Sequence, residues 1–82
     1  MSQGMRCMFV QLRCRPGTAY DVADTISSRE IHSEMYSTSG EFDLLIKFYI
    51  PDDADPGRFI NDNLLDIAGI ERSFTTVTFQ AF

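Results

Sequence analysis

Hydrophobic and polar residues alternate with a period of two over residues 6–15 and 31–38, and each of these segments is predicted to be a β-strand. Residues 42–50 are dense in Leu, Ile, Phe and Tyr, and residues 70–82 are rich in β-branched and aromatic residues, so each is also predicted to form a strand. Two further segments, residues 18–28 and 56–68, carry apolar residues at helical spacing. The predicted element order is therefore βαββαβ.

Local signals support these boundaries. Thr18 and Asp21 approximate a capping box at the start of the first helix. Asp55 precedes Pro56, which places a capping side chain before a proline at the first helical position of the second helix. Gly69 is predicted to end that helix. A turn at residues 39–41 joins the second and third strands into a hairpin.

This order predicts an α+β fold, a ferredoxin-like sandwich in which a four-stranded antiparallel sheet carries both helices on one face. Alternation directs one set of side chains toward the helices: Met8, Val10, Leu12, Leu44, Ile46, Phe48, Val77 and Phe79. It directs a second apolar set to the far face: Phe9, Tyr36, Leu45, Tyr49 and Phe74. Because large exposed apolar patches commonly mark interfaces, we predict a homodimer formed through the far face.

Length and charge restrict the function. Eighty-two residues are expected to form a single domain, residues 1–82. The net charge of -5 opposes binding to phosphate backbones, so no direct nucleic-acid partner is predicted. The longest apolar runs contain three residues and no secretory signal follows Met1, which predicts a cytoplasmic protein without a membrane partner.

No recognisable catalytic, metal-binding or phosphate-binding motif occurs, and we predict no catalytic residue, metal or cofactor. Cys7 and Cys14 are seven residues apart, which places them on opposite faces of one strand as reduced thiols. The acidic residues 52–55 are interpreted as a solvated loop that caps a helix, with a hard-cation site as the alternative.

Three short segments together resemble the ligand-binding (RAM) domain of the Lrp/AsnC regulators. They are Arg15-Pro16-Gly17, residues 39–45 (Ser-Gly-Glu-Phe-Asp-Leu-Leu) and residues 69–77 (Gly-Ile-Glu-Arg-Ser-Phe-Thr-Thr-Val). Their order and separations match the family, and the resemblance covers residues 6–82. It implies a small-molecule sensor whose effector, typically an amino acid, binds at contacts between subunits in a ring-like assembly of dimers.

Carried over by position, the ligand site would consist of Ser39, Gly40, Glu41, Phe42, Asp43, Thr75, Thr76, Val77 and Thr78. Gly40 lets backbone amides approach a carboxylate closely, and Asp43 can hold an ammonium group. The residues alone also allow a purely structural interpretation. In it, Gly40 only forms the turn, and Asp43 only accepts hydrogen bonds from neighbouring backbone amides.

The chain departs from the family pattern at three points. Phe42 stands where the family usually has tyrosine, and Phe74 replaces a usually polar residue. The first predicted strand begins close to Met1, which leaves no room for the helix-turn-helix domain of family regulators. We therefore expect a stand-alone effector-binding and oligomerisation domain without DNA binding, which acts through a full-length Lrp/AsnC regulator or another protein.

Two alternatives stay open. One is a small dimeric α+β barrel enzyme that performs acid/base or cofactor-free oxygen chemistry with His32, Glu41 or Asp43. The other is a purely structural assembly module. An enzyme requires these groups to converge in an enclosed apolar pocket, whereas a sensor requires polar groups at a boundary between subunits.

Overall fold

The computed structural model describes residues 4–82 and contains four strands and two helices in the predicted βαββαβ order. The elements are β1 (Met5–Cys14), α1 (Ala19–Arg29), β2 (Glu34–Ser37), β3 (Leu44–Pro51), α2 (Pro56–Asn63) and β4 (Ile70–Val77). Within residues 4–82 no helix is both long and apolar enough to cross a membrane.

The four strands form one antiparallel sheet in the order β2-β3-β1-β4. Val10 at the centre of β1 lies opposite Ile46 on β3 and Thr75 on β4. The predicted hairpin is confirmed, because β2 pairs with β3 and Met35 lies opposite Ile46. Both β2 and β4 are edge strands.

One face of the sheet packs against both helices and forms the core. Val22 and Ile26 from α1 and Ile60 from α2 are buried against it. Phe59 of α2 meets Phe48 of β3 edge to face, with 5.3 Å between ring centroids. This arrangement confirms the predicted ferredoxin-like sandwich.

The residues predicted to face the helices do so on β1 and β3, where all six are buried: Met8, Val10, Leu12, Leu44, Ile46 and Phe48. Val77 lies opposite Met8 and so points to the same side. The prediction for Phe79 is wrong, because β4 ends at Val77 and Phe79 is 98% exposed. Alternation fixes a side chain's face only while the strand continues.

The two helix N-termini differ. Asp55 caps α2 as predicted, because its Oδ1 accepts a hydrogen bond from the Gly57 amide at 3.0 Å and Pro56 begins the helix. The predicted capping box on α1 is wrong. The Thr18 hydroxyl makes no cap bond and instead donates to the Arg15 carbonyl at 2.7 Å, closing the preceding turn.

Helix α2 ends at Asn63, so the prediction that Gly69 stops it is also wrong. Arg29 of α1 holds this end, since its Nη1 donates to the Asn63 carbonyl at 2.8 Å and the guanidinium pairs with both Asp66 oxygens at 2.9 Å. Residues 64–69 then turn back toward the sheet, with Leu64 still buried in the core.

Gly69 has a different role at the start of β4. Its φ is +103°, and its carbonyl accepts a hydrogen bond from the Arg15 amide at 2.7 Å. A Cβ at this position would lie 2.9 Å from the Thr18 Oγ1 and 3.1 Å from a Val22 methyl carbon. Gly69 therefore allows the chain to pass beneath the start of α1.

We predict that Gly69→Ala destabilises the protein more than Gly40→Ala. Both glycines have similar positive φ values, +103° and +96°, but only Gly69 has atoms within 4 Å of an added Cβ. The left-handed backbone costs each alanine about 1–2 kcal/mol, and crowding adds about 1–3 kcal/mol at Gly69 alone. Urea unfolding measures both losses, and equal losses would contradict this role.

Candidate functional site

The sheet face opposite the helices, here called the open sheet face, is not covered by any helix or strand of residues 4–82. Strand register places these side chains on it: Cys7, Phe9, Gln11, Arg13, Glu34, Tyr36, Leu45, Lys47, Tyr49, Arg72, Phe74 and Thr76. The predicted far-face set is confirmed, and Tyr36, Tyr49 and Phe74 are 55%, 48% and 57% exposed.

The loop between β2 and β3 closes at one end of this face. The Thr38 amide donates to the Asp43 carbonyl at 2.9 Å, and the Thr38 hydroxyl donates to the Phe42 carbonyl at 3.0 Å. Gly40, with φ +96°, makes the reversal between them and is exposed like Ser39. The loop thus has a fixed base and an accessible tip.

Asp43 fastens the loop base to β1. Its amide donates to the Leu12 carbonyl at 2.8 Å, and its Oδ2 accepts from the Cys14 amide at 2.7 Å. This is the structural role that the sequence left open for Asp43. Burial, followed by the nearby Asp43 and Glu71 charges, raises the pKa of the Cys14 thiol, which keeps that thiol protonated and unreactive.

Five side chains meet beside the loop tip, here called the loop-end cluster: Arg13, Glu41, Phe42, Arg72 and Phe74. Arg13 Nη1 donates to the Glu41 carbonyl at 2.8 Å, and the Arg72 Nη2 lies 3.3 Å from the Glu41 Oε2. The guanidinium carbon of Arg72 is 5.6 Å from the Phe42 ring centroid, a cation–π distance. The Phe42 and Phe74 rings are 6.4 Å apart between centroids.

The loop-end cluster borders an open cavity of about 470 Å³. Gln11, Ser73 and the four side chains Glu41, Phe42, Arg72 and Phe74 line it. The cavity offers a carboxylate, a guanidinium, an amide and two aromatic rings, a combination suited to a small ligand with both charged and apolar parts. Of these residues, the family resemblance includes Glu41 and Phe42 in the predicted ligand site, but it does not include Gln11, Arg72 and Ser73.

The predicted residues of the last strand lie away from the loop. Thr76 is opposite Phe9, four residues along β4 from Arg72, which corresponds to roughly 13 Å. Thr75 and Val77 point to the helix side, and Thr78 donates to the Cys7 carbonyl through both its amide and its hydroxyl. One chain therefore does not bring residues 75–78 together with the loop, and their shared site stays a prediction that needs a second chain.

A second and larger groove, of about 620 Å³, lies at the other end of the open sheet face. Cys7, Phe9 and Tyr49 form its floor, and residues 78–81 form one wall. Lys47, which also lines this groove, is already paired, because its Nζ lies 3.4 Å from Glu34 Oε2 and 5.2 Å from the Tyr49 ring centroid. The Tyr36 hydroxyl and Lys47 together lower the pKa of Glu34.

The three residues of the alternative enzyme hypothesis, His32, Glu41 and Asp43, do not lie together. His32 precedes β2, where the next residue, Ser33, pairs with the Lys47 carbonyl at 2.8 Å. Glu41 and Asp43 lie beyond the opposite end of the β2–β3 hairpin. Among residues 4–82 no group of three His, Cys, Asp or Glu side chains is arranged to hold a metal ion.

These features define the class of the protein. It is an α+β domain whose sheet is covered by helices on one face and open on the other. The chain belongs to the Lrp/AsnC ligand binding domain family, whose sequence model it matches over residues 7–82. A search of curated proteins gave no match.

Solved structures with the same fold agree with this assignment. TTHA0845 from Thermus thermophilus is 25% identical, with a TM-score of 0.84 over 94% of this chain and 96% of that one. The transcriptional regulator NMB0573 of Neisseria meningitidis, solved with L-Met, is 18% identical, with a TM-score of 0.77 over 92% of this chain and 50% of that one. AsnC of E. coli is 18% identical, with a TM-score of 0.72 over 93% and 52%. The chain thus spans about half the length of these two regulators.

We predict that Asp43→Ala lowers the free energy of unfolding by about 1–3 kcal/mol, because it leaves the Cys14 amide without its acceptor. Asp43→Asn keeps an acceptor oxygen and should lose less. Asp53→Ala, in an exposed loop, is the matched control and should change little. Denaturant unfolding distinguishes them, and equal stability of Asp43→Ala and Asp53→Ala would refute the structural role.

Proposed function

We propose that this domain binds an amino acid or a related small metabolite at a contact between subunits and assembles into dimers and a ring-like oligomer. In this role it serves transcriptional regulation in the cytoplasm as a sensor and not as an enzyme. The observation that carries the proposal is the position of the loop-end cluster, at the rim of an uncovered apolar sheet face.

The open sheet face supports assembly. Both helices lie on the opposite side and do not cover this face. Tyr49 and Phe74 are exposed and Phe9 and Leu45 are partly exposed. Patches of this kind on small proteins commonly mark interfaces. Glu34 and Lys47 on the same face form an ion pair, so together they add no net charge to a contact between copies.

A second copy also explains the two separated parts of the predicted ligand site. Closed dimers use the same patch on both subunits. In such a dimer the open sheet faces of two subunits would lie against each other, with the two-fold axis between them and perpendicular to the strands. This symmetry would place the Thr76 end of one sheet over the loop end of the other. Residues 75–78 of one subunit would then approach residues 39–43 of its partner.

Three lines support an amino-acid ligand. The family is a ligand-binding domain family, one structural neighbour was solved with L-Met, and the loop-end cluster contains a carboxylate and a guanidinium beside aromatic rings. An amino acid carries a carboxylate and an ammonium group that such side chains can pair with.

The charge of the chain opposes direct binding to DNA, since the net charge is -5. We propose that any effect on transcription proceeds through protein contacts, with a full-length Lrp/AsnC regulator as partner. Electrophoretic mobility shift at physiological salt tests this part, and binding of the purified chain to duplex DNA would contradict it.

We predict that Tyr49→Glu dissociates the assembly, because it adds a second carboxylate beside Lys47, which Glu34 already pairs, within the proposed apolar contact. Tyr20→Glu is the matched control, since Tyr20 is 74% exposed on α1, away from the open sheet face. Native mass spectrometry at micromolar concentration should give an even number of subunits for the wild type and for Tyr20→Glu. A monomeric wild type would contradict the proposed interface.

We predict that at least one common amino acid stabilises the protein against heat. A ligand at about 100 times its Kd adds about 2.7 kcal/mol to the folded state, which gives a readily measured rise in Tm. A thermal-shift screen of the common amino acids checks this. An intact oligomer that responds to none of them would favour the purely structural module over the sensor.

A further inference from the structure

The ion pair between Glu41 and Arg72 can separate to receive a ligand. The Arg72 Nη2 and Glu41 Oε2 atoms are 3.3 Å apart, and the side chains of Glu41 and Arg72 are 68% and 59% exposed. Exposed pairs of this kind contribute little to stability, so a ligand that offers both partners a new charge can replace their mutual contact at low cost. Opening the pair leaves a carboxylate and a guanidinium side by side on one wall of the cavity.

Both charged groups are held in place by contacts outside the pair. The Glu41 backbone is tied to β1 by the Arg13 guanidinium, which donates to its carbonyl at 2.8 Å. Arg72 lies over the Phe42 ring, 5.6 Å from the centroid. The first contact leaves the Glu41 carboxylate free, and the second uses the face of the Arg72 guanidinium and not its N–H donors. Both contacts can therefore persist when a ligand binds, and such preorganisation favours affinity.

The remaining wall is apolar. Phe42 and Phe74, the two residues that depart from the family pattern, lie together with tilted rings 6.4 Å apart, and Phe74 is 57% exposed. Aromatic rings at this distance form one continuous surface. The cavity therefore joins a pair of opposite charges to an exposed aromatic surface, with the amide of Gln11 beside it.

We propose that the Glu41 carboxylate binds the ammonium group and the Arg72 guanidinium binds the carboxylate of an α-amino acid whose apolar side chain packs on Phe42 and Phe74. This inference rests on the proposed function and specifies its ligand as an amino acid with an aromatic, aliphatic or thioether side chain. An α-amino acid carries its ammonium and carboxylate groups on one carbon atom, and the short distance between the charged groups of Glu41 and Arg72 suits such a ligand. Asp43 is given no contact with the ligand in this assignment, because its Oδ2 accepts from the Cys14 amide at the loop base and it does not line the cavity.

Isothermal titration calorimetry with L-phenylalanine and L-methionine tests the ligand class. We expect each to bind at least about ten-fold more tightly than L-aspartate or L-lysine. The compounds 3-phenylpropanoate and 2-phenylethylamine each keep the aromatic group but lose one charge. Both should bind at least about ten-fold more weakly than L-phenylalanine. Equal binding of either compound would overturn the two-charge assignment.

Variants test the residues. Arg72→Gln and Glu41→Gln should each weaken L-phenylalanine binding at least about ten-fold, and Arg72→Lys should retain part of it because the charge remains. Arg58→Gln removes the same charge from the exposed surface of α2 and should leave binding unchanged. Thermal unfolding checks that each variant is folded. Wild-type affinity in Arg72→Gln and Glu41→Gln would overturn the inference.

The experiment distinguishes this inference from the proposed function. Binding of a polar amino acid that persists in Arg72→Gln would overturn the assignment of Glu41 and Arg72 while the sensor function stands. Failure of every common amino acid to bind would overturn both. Tight binding of L-phenylalanine or L-methionine that depends on Arg72 and Glu41, but not on Arg58, supports both.

Discussion

The structure depends on one constraint, which is that two short helices cover only one face of a four-stranded sheet. The covered face of β1 and β3 supplies most of the buried core, and residues of the two helices and of the segment 64–67 complete it. Both of these strands alternate between buried and more exposed side chains to do so. The same alternation sends aromatic and aliphatic side chains to the opposite face, which no helix of residues 4–82 covers. The proposed association with a second copy would remove this surface from water.

The position of the candidate site follows from the same sheet. The β2–β3 loop closes at the end of the hairpin, and the hydrogen bond from the Cys14 amide to Asp43 fixes it against β1. Antiparallel pairing then brings Arg72 of β4 opposite Arg13 of β1, within reach of Glu41 at the loop tip. The cavity is thus formed by β1, β4 and the β2–β3 loop, and it lies where an assembly through the open sheet face would have its rim.

Short-range patterns predicted most of the fold. Period-two alternation gave the two faces correctly for Val10, Phe48, Phe9 and Tyr49, since each lies inside a paired strand. Predictions at element ends were less accurate. The end of α2 is set by Arg29, a residue of the other helix, and Thr18 bonds to a turn instead of capping α1. Phe79 lies beyond the last strand, where alternation no longer applies.

The site was predicted only in part for a similar reason. The loop carries a local motif, so Glu41 and Phe42 could be found from the sequence. The partnership of Glu41 with Arg72 spans 31 residues and depends on strand register, which the pattern of polar and apolar residues does not determine. The approach of residues 75–78 to the loop depends on a second chain and lies beyond what one sequence specifies.

The most direct test of this account is an isotope-filtered NOE measurement on mixed subunits. One population carries methyl-labelled leucine in a deuterated background, and the other carries protonated phenylalanine and tyrosine. The account predicts cross-peaks from the Leu45 methyl groups to rings of Phe9, Tyr49 or Phe74 in the other subunit, because all four residues lie on the open sheet face. Absence of such cross-peaks, with Leu45 and these rings accessible to a soluble paramagnetic probe, would contradict it.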